Sequence, residues 1–111
     1  MKSLADRFRH WFSYEQACNA LCVQMLNSVP LDRQGTPEFR KAVDKLSHLM
    51  AARLRWLQRL GAVNEAPPAF PTDLSLADLS AQIAAMESHW ITYLERLDDT
   101  QIGRDVTYKA N

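Results

Sequence analysis

Residues 75–97 read SLADLSAQIAAMESHWITYLERL. Within them Leu79, Ile83, Met86, Trp90, Tyr93 and Leu97 recur in alternating steps of four and three, the period of an α-helix with one apolar face. Alternation of that kind makes a seam for bundle packing. Asp73 or Ser75 starts the helix, because either side chain can accept from the free N–H groups of a first turn. Asp98-Asp99-Thr100 breaks the pattern at a solvated terminus, and Gln101-Ile102-Gly103 reads as a short turn.

Upstream, Ala62 to Asp73 carries Pro67, Pro68 and Pro71. Such density excludes a helix and predicts an extended crossover, which lets the next helix cross the bundle. Before it, Thr36 is an N-cap and Pro37 suits the first helical position. Phe39, Val43, Leu46, Met50, Leu57 and Leu60 continue this second stripe, with Arg53 as its one break, and Gly61 marks the stop. The first helix is expected from Ser3 to Ser28, with Leu4, Phe8, Trp11, Phe12, Cys18, Leu21, Cys22, Met25 and Val29 as its apolar set. Pro30 ends it, since a residue before proline avoids the α region. Val106-Thr107-Tyr108 near the end is strand-like.

The chain has 111 residues, a size that fits one domain, 1–111. A 47% hydrophobic fraction is typical of a folded domain and argues against disorder. Thirteen basic side chains balance thirteen acidic ones, so no domain-wide basic field exists to bind nucleic acid. No apolar run approaches the roughly 18 residues of a membrane span. The start has no apolar signal core, and a cytoplasmic address is expected. The neutral total hides an asymmetry: residues 1–60 carry ten basic and five acidic groups, residues 61–111 three and eight. Arg outnumbers Lys nine to four, which suits bidentate pairing with carboxylates. Cys18 and Cys22, one helical turn apart, read as small core fillers.

Phosphate loops, nucleophile elbows and Cys-x-x-Cys pairs are absent from the sequence. His10, His48 and His89 stand singly. His48 lies one position off the second stripe, where it can point into the upper core. Its functional reading is a metal ligand through neutral imidazole. The aromatic Trp11, Trp56 and Trp90 sit at helical core spacing.

The run from His48 through Ala51 to Trp56 and Leu57 resembles the second-helix signature of the DinB/YfiT superfamily. Tyr14 and Asn19 resemble its first-helix element, with Ala17 and Cys18 in place of tryptophan and alanine. Trp90, Tyr93-Leu94, Leu97-Asp98-Asp99, Ile102 and Val106-Thr107-Tyr108 resemble its third-helix region. The resemblance implies an all-α, DinB-like up-down helical bundle. Three long helices stand here, with the fourth missing or supplied by another subunit. It also implies a divalent transition metal, Zn or Ni, on three histidines, with His48 as the one matching ligand. That site is incomplete in this chain. The implied activity is a metal-dependent thiol transferase, acting with a small-molecule thiol, or a hydrolase. The alternative is a non-catalytic homodimer or interaction module, and whether the chain is an enzyme stays open at this point. The third-helix seam is the expected dimer face, so charge at Ile83 is expected to disrupt assembly.

Overall fold

A computed structural model describes residues 3–104 and 106–108. It is all-helical there, with α1 at Leu4–Asn27, α2 at Pro37–Arg59, α3 at Leu76–Arg96 and a single-turn α4 at Asp99–Ile102. Among the described residues there is no strand, and Val106 to Tyr108 has no regular structure. The strand-like tail is therefore corrected to a coil, because a lone strand has no ladder to join. Asp105 and 109–111 lie outside the described residues.

Each long helix begins on a hydroxyl cap. Ser3 accepts from the Asp6 N–H and Asp6 reaches back to the Ser3 N–H, a reciprocal capping box. Thr36 accepts from Phe39 and Ser75 from Asp78, so Ser75 and not Asp73 starts α3. Asp73 instead takes a left-handed backbone, φ 60°, at the end of the crossover. Its N–H donates to the Asp44 carboxylate of α2. At the other end of α2, Gly61 has φ 81°, and the Ala62 N–H closes back onto the Leu57 carbonyl. That closure needs a left-handed residue, which glycine supplies without steric cost.

The long crossover sets the topology. Arg40 meets Leu74, Ser47 meets Gln82, and the Trp90 indole N–H donates to the Arg53 carbonyl. Numbers rise together along both helices, so α2 and α3 run parallel. Arg9 meets Leu94 and Asn19 meets Glu87, so α1 runs antiparallel to α3. The order is up-down-down, which corrects a simple up-down reading. α3 packs against both other long helices.

The core holds Phe39, Val43 and Met50 of α2 with Leu79, Ile83 and Met86 of α3. Phe12, Val23 and Leu26 of α1 pack against them. The α3 seam is thus covered from within the chain, and the expected exposed seam is corrected. Ile83→Asp is now a folding variant: it places a carboxylate in a six-percent-exposed site, which costs several kcal/mol if the charge stays unpaired.

α1 is clasped at its first turn. The Asp99 carboxylate accepts from the Leu4 and Ala5 N–H groups, at 3.3 and 3.0 Å. Arg9 donates to the Leu94 and Leu97 carbonyls at the end of α3. Orphan donors of one helix and orphan acceptors of another are satisfied together. Asp98 meanwhile caps α4. The Asp98-Asp99 pair is therefore a double cap at an exposed helix end. Replacing Asp99 with alanine is expected to lower unfolding free energy by about 1–2 kcal/mol, read from urea denaturation; an unchanged midpoint would refute the clasp. Hydrogen bonds from Arg9 first, then from Ser3, hold the Asp6 carboxyl below its ordinary range. A depressed carboxylate supports the fold above that range and loses the support as pH falls through it.

Candidate functional site

α1 carries two apolar faces. Ala5, Phe12, Asn19, Val23 and Leu26 turn inward, and the Asn19 amide donates to Glu87. The other face presents Leu4, Trp11, Tyr14, Leu21 and Met25 to solvent, with Trp11 57%, Tyr14 72% and Met25 69% exposed. Steps of three, four and seven unite this outer row, so it is a continuous helical stripe. Cys22 is exposed on it and Cys18 is half-exposed. The core-filler reading of the two cysteines is corrected, and so is the packing reading of Trp11.

The outer face of α1 leans toward α2. Glu15 of α1 meets Arg53 of α2 at 2.6 Å, both partly buried. This explains the break in the α2 stripe: Arg53 reaches across to the neighbouring helix. Trp11 and Cys18 lie one turn either side of Glu15, and Leu49 and Trp56 one turn either side of Arg53. Leu49 and Trp56 are 47% and 42% exposed. The outer row of α1 is an exposed apolar patch.

Its extent can be judged by area. An aromatic side chain offers roughly 150–250 Å². At the observed exposures the α1 row alone presents on the order of 600 Å². That is the upper end of what a monomer's largest patch shows, roughly 300–600 Å². It approaches the roughly 800 Å² each partner contributes to a stable interface.

His48 lies on a different flank of α2. It turns away from the core, which corrects the inward reading, and packs on the crossover. Its ring stacks on Phe70 at 4.3 Å with 5° between planes. Its Nδ1 meets the Ala69 carbonyl. A carbonyl only accepts, so Nδ1 carries a proton. Trp56 shares no pocket with His48. It packs edge-on against Tyr108, and the Arg59 guanidinium lies 4.8 Å above its ring. Among the described residues, no group of three or more His, Cys, Asp or Glu side chains is placed to hold a metal ion.

The crossover is fixed along its length. Arg55 donates to the Pro67 carbonyl, Gln58 to Asn64 and Arg40 to Leu74. His48 is one rivet in this row. No helix among the described residues is long and apolar enough to cross a membrane. No family model, no curated protein and no solved structure matches this chain.

Proposed function

We propose that this chain is a DinB-like helical bundle acting as a non-catalytic assembly module, which pairs with a second copy through the outer face of α1. The observation that carries the reading is the second apolar row of α1, from Leu4 to Met25, left uncovered by the rest of the described chain. A second copy suits it on area, since one row offers most of what each half of a stable dimer buries. A two-fold axis brings the same row of each copy together and closes the assembly. The sum of the two rows reaches about 1,200 Å², above the roughly 1,000 Å² that separates a real interface from a chance contact.

Sedimentation equilibrium on the full chain tests this directly. The monomer mass is 12.7 kDa, and a particle of twice that mass at micromolar concentration is expected. A monomer at every concentration up to about 100 μM, where a contact of this size should associate, removes the reading.

A second reading draws on one observation. The Nδ1–H of His48 donates to a backbone carbonyl, the second-sphere bond that orients metal-ligating imidazoles, and turns Nε2 away from that contact as the nitrogen a metal would take. On this reading the chain is a divalent-metal-dependent transferase or hydrolase with His48 as one ligand. It requires near-stoichiometric transition metal in the purified protein, lost in His48→Ala. Equal metal content in the two proteins ends it.

A further inference from the structure

At the end of the bundle where α2 and α3 finish, a cavity of about 310 Å³ opens between the C-terminal turn of α2, the last two turns of α3 and α4. His89, Thr92, Tyr93 and Arg96 line it from α3, at helical spacings that put them on one side of that helix. Gln101 and Arg104 line it from α4 and the turn after it. Two guanidiniums, an imidazole and two hydroxyls thus border one small space, and no carboxylate among the described residues lines it. Arg104 donates from one nitrogen to the Leu60 carbonyl at 3.0 Å, which fixes its guanidinium at the cavity wall and leaves its other N–H groups available. Arg96 makes no ion pair or hydrogen bond to a described residue.

We propose that this cavity binds a small phosphate-bearing molecule, a phosphomonoester, with Arg96 and Arg104 gripping the phosphate. Guanidinium forks match phosphate oxygens bidentately and keep their charge at any pH the protein meets. The Tyr93 hydroxyl and the Gln101 side-chain N–H groups supply neutral donors that orient the rest, while the Thr92 hydroxyl already donates to the Ser88 carbonyl and the Gln101 oxygen accepts from the Asp98 N–H. The volume lies at the low end of ligand cavities, enough for a phosphate and a compact organic group. None of the lining residues belongs to α1, so the site stands independently of the pairing face.

Calorimetric titration of the full chain with phenyl phosphate tests the proposal, at fixed ionic strength and pH 7.5 in a chloride buffer. Saturable binding of one molecule per chain is expected. Arg96→Gln and Arg104→Gln should each weaken it at least tenfold, while Arg33→Gln, in the turn between α1 and α2, should leave it unchanged. Benzoate should bind at least tenfold more weakly than phenyl phosphate. No saturable heat below about 10 mM, where even two well-placed charged hydrogen bonds would register, overturns the site. So does equal affinity in Arg96→Gln, a variant that removes no contact within the fold. Equal or tighter binding of benzoate overturns the phosphate assignment. If the two arginines serve only the negative ends of α2 and α3, both variants lower the melting temperature and neither changes the titration.

Discussion

Truncating Met86 to alanine is expected to cost about 2–5 kcal/mol of unfolding free energy. Met86 has no exposed surface and belongs to the core cluster that joins α3 to Phe39, Val43 and Met50 of α2. Its removal leaves a cavity around which packed helices relax only partly. In a domain of this size the whole stability is about 5–15 kcal/mol, so the melting temperature should fall by roughly 10 °C or more. Met25 provides the matched control: the same residue type, 69% exposed, on the outer face of α1. Met25→Ala should leave the unfolding free energy of the monomer within about 0.5 kcal/mol of the parent. A loss for Met25→Ala as large as that for Met86→Ala, in urea denaturation under monomeric conditions, would place the outer row of α1 in the core.

If the proposed pairing holds, the double variant Trp11→Asp with Met25→Asp is expected to convert the paired form to a monomer of unchanged helicity. Each copy loses two side chains of the pairing row, so the interface loses four. Full burial of one such side chain is worth roughly 1.5–3 kcal/mol, and these are already about one third covered. A loss of at least about 4 kcal/mol follows, a thousandfold or more in dissociation constant. The introduced carboxylates, desolvated on pairing, add to it. Sedimentation reads the mass and far-ultraviolet circular dichroism reads the helices. A variant that remains dimeric places the contact elsewhere on the surface. A variant that loses its helices places Trp11 and Met25 in the core.

The parts of the fold that local chemistry dictates were legible in the sequence. The α3 seam follows from its regular steps, the start of α2 from Thr36-Pro37, and the crossover from three prolines within five residues. The phase of α1 was not legible. Its apolar residues cover more than half of its circumference, so periodicity identifies a helix without saying which row turns inward. The inward row includes a small residue and an amide, Ala5 and Asn19, whose burial depends on Glu87 and α3 rather than on hydropathy. Asp99 was equally opaque, because the N–H groups it caps belong to residues 94 and 95 positions earlier. The direction of His48 depends on Ala69 and Phe70 in the crossover, a tertiary contact with no local signal. Arg53 did leave a trace, as the one charge in an apolar stripe, and only the structure names Glu15 as its partner.

That α1 finds its main packing partner in α3 has a consequence for how the chain emerges during synthesis. The partner of the first helix is the last long one made. Between completion of α1 at Asn27 and completion of α3 at Arg96, the ribosome adds about 70 residues, which takes roughly 4–14 s at ordinary elongation rates. Throughout that interval α1 has neither of its apolar rows buried by its own chain's third helix. On the proposed pairing, the outer row waits for a second copy from the moment α1 forms, and several nascent chains on one messenger carry it at once. Pairing between neighbouring nascent chains can therefore precede completion of the monomer, and a delay in translating α3 would lengthen the window in which the wrong row is available to a stranger.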